Sequence, residues 1–394
     1  MKIFKYKKIM SLAISVLFLM SVVSICKYID AHKNKVIDDS SKPTIALKKD
    51  EISEENSKNM VGAWVSYLDL NISSKENTEQ KFIENFENIL STAEKYKINT
   101  LIVHVRSHSD ALYKSDFFPW SHLLTGSQGE NPKFDPLEYM VKSCHKKNIK
   151  FHAWVNPLRV QANNSPKDLS ENNPYYNQPS DRIIKTSNGI YYNPSYKETR
   201  DLITSGVEEI VKNYDIDAIH FDDYFYPEDK EILEKKDNDL SKKESVNLLI
   251  SEVHDKIKSI KPNVEFGISP PGNIKKCQEI GADPKTWLDK KYIDYICPQL
   301  YWSVDCPNMP FEKAANDWKK ISKGSSQKIY AGLALYKIGT DLDEKTWNSS
   351  DHILEEEFKI IKKLNFDGVM LYSINFLKSE ACKSEVNNLM NEIK

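Results

Sequence analysis

The sequence predicts a (β/α)₈ (TIM) barrel, an α/β fold in which eight parallel strands alternate with helices. Between residues 60 and 394, short apolar stretches alternate without interruption with segments of helical periodicity. Each parallel strand needs a crossover, so this alternation demands a parallel sheet, and eight repeats close it into a barrel of about 250 residues plus insertions. The competing open, doubly wound sheet normally has fewer strands and a glycine-rich first turn, which the first strand, GAWVSYLDL, lacks.

The predicted elements follow one another in strict order. Apolar strands are predicted at 62–70, 99–110, 149–160, 216–225, 264–272, 292–302, 328–336 and 366–376. Helices are predicted at 78–96, 135–148, 195–214, 244–260, 285–290, 311–321, 351–364 and 380–393. Asp135 before Pro136 marks a helix start, because Asp caps helices and Pro is favoured in the first turn. Long loops follow strand three (161–193) and strand four (227–243), on the face where barrels build their active sites.

The N-terminal segment predicts a location outside the cytoplasm. Residues 1–26 combine the basic stretch MKIFKYKK with about 18 uncharged residues, typical of a signal-anchor or a lipoprotein signal. No small-residue cleavage site follows, and Ile25 stands where a lipobox prefers a small residue, so an uncleaved anchor and lipidation of Cys26 both stay open. Residues 27–59 are polar and predict a flexible tether. The positive-inside rule then places the barrel domain, 60–394, at the extracellular face of the membrane or in the cell wall.

Composition excludes some partners. A net charge of −2 gives no electrostatic case for nucleic acid. The expected partners are therefore the substrate and, through the N-terminal segment, the membrane. The oligomeric state is open. The 20 tyrosines and 7 tryptophans suit sugar stacking or a large core equally well.

Polar residues gather at the predicted C-terminal ends of the strands, although the strand middles are almost wholly apolar. They are Asp69, His104, Arg106, His108, His152, Asn156, His220, Asp222, Asp223, Ser269, Gln299, Tyr301, Trp302, Tyr336, Tyr372 and Asn375. Strand ends of a barrel meet at one face, so this coincidence predicts an active site. Alternation puts His104 with Arg106, and His220 with Asp222, on a shared face, whereas Asp223 points the other way unless the strand has already ended.

The adjacent carboxyl groups suit cleavage of a glycosidic bond. That reaction needs a protonated carboxyl as general acid and a second group as nucleophile, base or stabiliser. Asp222 and Asp223 are the predicted catalytic residues, with Asp69, Asp110 and Asp305 as the available second carboxylates. Predicted stacking residues are Trp154, Tyr224, Tyr226, Tyr301 and Trp302. Predicted polar contacts to the substrate come from Asp69, His104, Arg106, His152, Asn156, His220, Gln299 and Tyr372.

A metal site is the weaker prediction for the same residues. His104 and His108 stand four residues apart, but on a strand that spacing separates them by about 13 Å, too far to share an ion. We therefore expect no metal and no cofactor. A metal-dependent polysaccharide deacetylase stays as an alternative.

Five motifs carry a family resemblance. GAWVSYLD, HFDDYFYP, FGISPPGN, ICPQLYW and GVMLYS, in this order, resemble the family 10-like glycosyl hydrolases of bacterial cell surfaces, from Met60 to about Leu377. The resemblance implies a (β/α)₈ barrel that acts on a glycan, with Asp222, Asp223, Gln299, Tyr301 and Trp302 in the cleft. Such relatives are linked to peptidoglycan glycan strands, especially strands without stem peptides.

One departure from true family 10 xylanases affects the mechanism. Those enzymes place glutamates at the ends of strands four and seven, whereas here strand four ends in aspartates and strand seven, KIYAGLALY, ends without a carboxylate. On an N-acetylated substrate, the acetamido oxygen can act as nucleophile while Asp222 and Asp223 serve as polariser and acid. The expected function is therefore hydrolysis of an N-acetylated cell-wall glycan, and a non-catalytic glycan-binding barrel is the main alternative.

Overall fold

The computed structural model describes residues 59–73, 77–223, 225–227 and 240–393. The predicted signal segment, the tether up to residue 58 and most of the loop after strand four lie outside these residues. Within them, no helix is both long and apolar enough to cross a bilayer.

The strands form two sheets. In chain order they are β1 Met60–Val65, β2 Thr100–Arg106, β3 Lys150–Val155, β4 Arg159–Ala162, β5 Ile183–Thr186, β6 Gly189–Tyr192, β7 Ala218–Phe221, β8 Glu265–Ile268, β9 Tyr295–Ile296, β10 Lys328–Ile329, β11 Ala331–Ala334 and β12 Gly368–Tyr372. Among the described residues, nine of them make one parallel sheet in the order β10-β9-β8-β7-β3-β2-β1-β12-β11.

This sheet curls into a nearly closed barrel, so the predicted parallel α/β barrel is confirmed. Its two edge strands, β10 and β11, belong to one segment interrupted only by Tyr330. β10 pairs with β9 and β11 pairs with β12, which brings the ends of the sheet together. The structure thus divides the predicted seventh strand in two.

The helices follow the strands as the periodicity predicts, with short additional ones. They are α1 Glu79–Lys95, α2 His122–Thr125, α3 Pro136–Lys146, α4 Lys197–Asn213, α5 Lys242–Ile260, α6 Ile274–Glu279, α7 Pro284–Asp289, α8 Phe311–Ile321, α9 Ile353–Lys363 and α10 Lys383–Ile393, with a distorted four-residue helical segment, Leu342–Lys345, between α8 and α9. The predicted start at Asp135 is confirmed, because its side chain accepts a hydrogen bond from the backbone N–H of Glu138. Ser241 and Glu244 form a capping box that begins α5.

The segment after β3 is folded, whereas the sequence predicts a long loop there. Its strands form an antiparallel sheet in the order β4-β6-β5. The turn between β5 and β6 consists of Ser187 and Asn188, and Gly189 begins β6 opposite Thr186. A Cβ at Gly189 would lie 2.4 Å from the carbonyl oxygen of Gln161, so only glycine fits at this pairing.

Side-chain alternation divides the core into two clusters. Val61, Ala63 and Val65 of β1 pack outward in the large cluster that includes helical residues. The smaller cluster contains Trp64, Trp154 and other inward-facing residues of the barrel strands. The barrel interior is thus rich in aromatic residues just below the C-terminal ends of the strands, where the predicted site residues stand.

Candidate active site

Asp222 is the first residue beyond β7 and lies at the floor of the predicted cleft. Its side chain continues the inward face that His220 occupies on β7, as alternation predicts. Only 3% of Asp222 is exposed. Its Oδ2 accepts hydrogen bonds from the indole Nε1–H of Trp154, at 3.1 Å, and from the side-chain amide of Asn156. Two N–H donors on one carboxylate oxygen hold the group in place.

Asp223 is half-buried and lies among the aromatic residues of the barrel mouth. The strand ends at Phe221, so alternation no longer governs the direction of Asp223. Burial raises the pKa values of Tyr301, Tyr336 and Tyr372, and the charge of Asp223 raises each of them further. The carboxylate of Asp223 therefore lies within electrostatic range of three tyrosine hydroxyls.

Asn156 links three other polar groups of the floor. Its Oδ1 accepts from the guanidinium of Arg159 and lies 3.0 Å from Nε2 of His104. The Nδ1 atom of His104 accepts from the backbone N–H of Tyr67, so the proton of this imidazole is on Nε2. The His104 ring stacks on Trp154 with centroids 3.2 Å apart. Burial, then the charge of Arg159, holds the pKa of His104 well below its usual range, so this histidine is a neutral support for Asn156.

His152 and His220 were expected to contact substrate, but the structure buries both completely inside the barrel. The Tyr295 hydroxyl lies 3.0 Å from Nδ1 of His152 and 2.8 Å from Nδ1 of His220. Trp64 donates to Nε2 of His220, so His220 carries its proton on Nδ1 and donates it to Tyr295, which in turn donates to His152. Both imidazoles are fully buried, and both ring nitrogens of His220 already have protein partners, so we correct their assignment to supports of the barrel interior.

The predicted substrate contact of Arg106 is also corrected. The pairing of β2 with β3 shifts between His104 and Arg106, so the two side chains do not share a face. The Arg106 guanidinium packs on the ring of Phe118 at 4.3 Å, and a Cβ at Gly206 of α4 would lie 2.3 Å from its Nη1. Arg106 is thus buried on the helix side of the barrel, and it cannot contact a glycan in the cleft.

Aromatic rings form a wall at the mouth, and of the predicted stacking residues Tyr301 and Trp302 belong to it. The ring centroids of Tyr301 and Tyr372 lie 6.0 Å apart, and Tyr336 lies 5.9 Å from Tyr301. Gln299 is half-buried and donates through Nε2 to the carbonyl of Ser269. Trp302 is also half-buried. The four aromatic side chains keep part of their surface exposed, and aromatic faces of this kind can stack on a sugar.

Glycine at position 272 makes room for part of this wall. A Cβ there would lie 2.1 Å from the backbone oxygen of Gln299 and 2.6 Å from the Trp302 ring. Gly272, in the motif FGISPPGN, therefore has a structural role. It lets the loop after β9, which carries the motif ICPQLYW, approach the loop after β8.

The three candidate second carboxylates lie in different surroundings. Asp69 accepts through Oδ2 from the backbone and hydroxyl of Ser66, and burial raises its pKa against those hydrogen bonds. Asp110 is fully buried. Burial alone would raise its pKa, but the hydrogen bond and charge of His122, together with other donors, lower it to about 2. Asp305 is exposed. Of the three, only Asp69 is both partly buried and close to the cleft. Its proximity is evident from its charge, which helps to raise the pKa of Tyr372.

Some aromatic predictions change and some residues were missed. Tyr226 is 2% exposed and donates its hydroxyl to Asn193, so it offers no stacking face. Tyr224 lies outside the described residues. Tyr67 and Arg159 had no predicted role, although both stand next to predicted strand ends, in GAWVSYLD and NPLRV.

Among the described residues, no group of three or more His, Cys, Asp or Glu side chains is arranged to hold a metal ion. The chemistry that these residues offer is that of two adjacent carboxyl groups, one held by N–H donors and one at an aromatic opening.

Comparisons with known sequences agree with this chemistry. Residues 59–349 match the family described as glycosyl hydrolase-like 10. Glycosyl hydrolase YngK of Bacillus subtilis (strain 168) is 33% identical over 347 residues, covering 78% of this chain and 68% of YngK. Glycosyl hydrolase DigH of Escherichia coli (strain K12) is 33% identical over 341 residues, covering 75% of this chain and 78% of DigH.

Solved structures show the same fold at low identity. The glycoside hydrolase domain of PgaB (BpsB) from Bordetella bronchiseptica superposes with a TM-score of 0.57 at 11% identity, covering 84% of this chain and 99% of that domain. An endo-1,4-beta-mannanase from Rhizomucor miehei gives 0.54 at 10% identity, covering 85% and 94%. Alpha-L-fucosidase isoenzyme 2 from Paenibacillus thiaminolyticus gives 0.54 at 12%, covering 85% of this chain but 49% of the fucosidase.

Proposed function

This chain belongs to the glycosyl hydrolase-like 10 family, and we propose that it hydrolyses glycosidic bonds in an N-acetylated cell-wall glycan by aspartate acid catalysis. The observation that carries the proposal is the pair at the end of β7. Asp222 is held by Trp154 and Asn156, and Asp223 stands at the aromatic mouth. Two carboxyl groups in different surroundings can take different roles in one reaction.

Asp223 is the proposed general acid. It is the more exposed of the pair, so it can reach a glycosidic oxygen held at the mouth. In the first step, the Asp223 proton goes to the glycosidic oxygen as the C1–O bond breaks, and the acetamido carbonyl oxygen of the same sugar bonds to C1. Water then adds to C1 while the Asp223 carboxylate accepts its proton, which restores the acetamido group and frees a new reducing end.

Asp222 is the proposed polariser. Positive charge spreads over C1 and the acetamido group in the transition state, and a charged carboxylate at the floor stabilises it. Trp154 and Asn156 fix this carboxylate before substrate binds, so little reorganisation is needed during the reaction. His104 and Arg159 position Asn156 in turn.

Tyr372 is the proposed hydrogen-bond donor to the substrate. Burial, followed by the charges of Asp222, Asp69 and Asp223, raises its pKa to about 12. The hydroxyl therefore keeps its proton at neutral pH and can donate to the carbonyl oxygen of the acetamido group, which orients that oxygen towards C1.

The proposed substrate is the glycan strand of peptidoglycan, which carries acetamido groups along its length. An outward-facing location suits this substrate and rests on the basic and apolar residues 1–26, as either a signal-anchor or a lipoprotein signal at Cys26. Aromatic residues at the mouth, such as Tyr301 and Trp302, suit stacking on consecutive sugar rings.

The test is incubation with purified peptidoglycan strands, with and without stem peptides, and with a chemically de-N-acetylated sample of the same strands. Mass spectrometry should show new reducing-end fragments from the acetylated strands and almost none from the de-N-acetylated ones, which lack the nucleophile. Intact acetylated strands that co-sediment with the protein would instead indicate a glycan-binding barrel. Acetate release without chain cleavage, abolished by a chelator, would indicate a deacetylase.

A further inference from the structure

A polar cavity of about 200 Å³ lies beside the cleft, between the residues that follow β1, helix α1 and the turn that follows β12. Asp69, Asn85, Asn375 and Lys378 supply polar groups to its wall, and Leu68 supplies an apolar edge. None of these residues except Asp69 has a role in the proposed chemistry, so the cavity is a separate feature of the C-terminal face.

A continuous line of aromatic rings leads from the catalytic pair to this cavity. Tyr301, whose pKa the charge of Asp223 helps to raise, lies 5.9 Å from Tyr336 between ring centroids. Tyr336 in turn lies 6.3 Å from Phe376, which belongs to the same short turn as Asn375 and Lys378. The rings meet at interplanar angles of 83° and 54°, so they mark a row of apolar contacts from the mouth towards the turn at the cavity and do not form one flat stacking surface.

Asp69 connects the cavity and the cleft electrostatically. Its carboxylate lines the cavity, the charge of Lys378 acts on it, and its own charge acts on the Tyr372 hydroxyl. The two sites are thus neighbours on one face of the barrel, with Asp69 between them.

The surface chemistry of the cavity suits a sugar. Leu68 is 67% exposed, an unusual exposure for a leucine, and it supplies an apolar contact of the kind that sugar C–H faces need. Lys378 is exposed and carries three N–H donors, of which one makes a long contact of 3.4 Å to the backbone oxygen of Asn88. Donors beside an apolar edge match the alternating hydroxyl and C–H surfaces of a pyranose ring.

We propose that this cavity is a distal subsite, which binds one further sugar of the glycan through Lys378 and Leu68. The inference rests on the proposed hydrolase function and adds that the protein prefers long strands over short ones. At about 200 Å³ the cavity is smaller than a typical pocket for a drug-sized ligand, a size that suits no more than one sugar unit. Lys378 is then a residue that determines chain-length specificity and takes no part in bond cleavage.

The experiment compares wild-type protein with Lys378→Ala, Lys378→Arg and Leu68→Ala. The matched control is Lys383→Ala, an exposed lysine at the start of α10 whose ammonium pairs with Glu380, away from the cavity. Peptidoglycan strands freed of stem peptides are separated by size into short and long fractions. KM and kcat are measured on each fraction, and binding of intact strands is measured by co-sedimentation.

For Lys378→Ala, KM on long strands should rise about tenfold, the loss expected for one charge-assisted hydrogen bond, while the ratio of long-strand to short-strand kcat stays close to that of wild type. Lys378→Arg should keep the long-strand KM close to that of wild type. Leu68→Ala should raise the long-strand KM, as Lys378→Ala does. Lys383→Ala should match wild type. Equal KM values for Lys378→Ala and wild type on long strands would overturn the subsite.

Failure of the proposed function can be distinguished from failure of the subsite. If wild-type protein cleaves neither fraction, the hydrolase assignment fails, but co-sedimentation still tests the cavity. Weaker retention of long strands by Lys378→Ala than by Lys383→Ala would support the subsite in a binding protein, and equal retention would overturn it.

Discussion

Acid should destabilise this protein well before its carboxylates are protonated, because four buried histidines are neutral in the folded state. They are His104, His108, His152 and His220. Burial lowers all four pKa values, to about 3 for His108 and His220 and well below 6.5 for the other two. The unfolded chain binds protons at these sites near pH 6.5 and the folded chain does not, so the stability is complete above pH 6.5 and declines below it.

The magnitude follows from proton linkage. Between pH 7.5 and 5.5, each neutral histidine with an unfolded pKa of 6.5 lowers the free energy of unfolding by about 1.4 kcal/mol, and four of them by about 5 kcal/mol. Guanidinium denaturation at the two pH values, followed by tryptophan fluorescence, measures the difference. The decline should continue towards pH 3, where the buried histidines of the folded state begin to titrate.

A single substitution tests the cause. His220→Gln keeps groups that can bond to Trp64 and Tyr295 but cannot titrate, so the pH-dependent loss should shrink by about one quarter. His352→Gln is the control, because His352 is exposed, its pKa is raised by its hydrogen bond to Glu355, and such surface pairs contribute little. A free energy of unfolding that is equal at pH 7.5 and 5.5 would refute the reasoning.

Three further predictions concern the barrel interior and the cleft. Gly267→Ala places a Cβ 1.9 Å from the Tyr295 ring and should lower the free energy of unfolding by about 2–3 kcal/mol in denaturant titrations; unchanged stability would show that the ring can move aside. Tyr372→Phe should lower kcat about tenfold with little change in KM, and an effect on KM alone would limit Tyr372 to ground-state binding. Prolonged dialysis against a chelator should leave the rate of strand cleavage unchanged, whereas acetate release without cleavage that stops on dialysis and returns with added metal would favour the deacetylase alternative.

The barrel could be predicted because its signals are local and repeated. Each apolar stretch and each helical period points to one element, and Asp135 with Pro136 marks a helix start that the structure confirms. The position of Asp222 followed from the same rule, since it continues the inward face of His220. The hairpin of β5 and β6 was missed because strands of four residues are easily taken for loop, and its turn, Ser187 and Asn188, lies one position before the Asn-Gly pair.

The errors in the predicted site residues arise because the sequence of one strand does not show how that strand pairs with its neighbours. Arg106 turns outward because the pairing of β2 with β3 is irregular there, and pairing depends on the neighbouring strand. His152 and His220 face inward as predicted, but how deep they lie depends on where each strand ends within the barrel. Alternation left the direction of Asp223 open, because it depends on where β7 ends, and the strand ends at Phe221.

The central claim is that Asp222 and Asp223 together carry the hydrolysis, and the most direct measurement is strand cleavage by isosteric variants. Reducing-end fragments are quantified by mass spectrometry for wild type, Asp222→Asn, Asp223→Asn and Asp69→Asn, with the exposed Asp305→Asn as the matched control. We predict that each variant of the pair loses activity by about 10²–10⁴-fold while still binding strands, and that Asp305→Asn retains it. Full activity in Asp223→Asn, or a loss in Asp69→Asn as large as in the pair, would contradict the account.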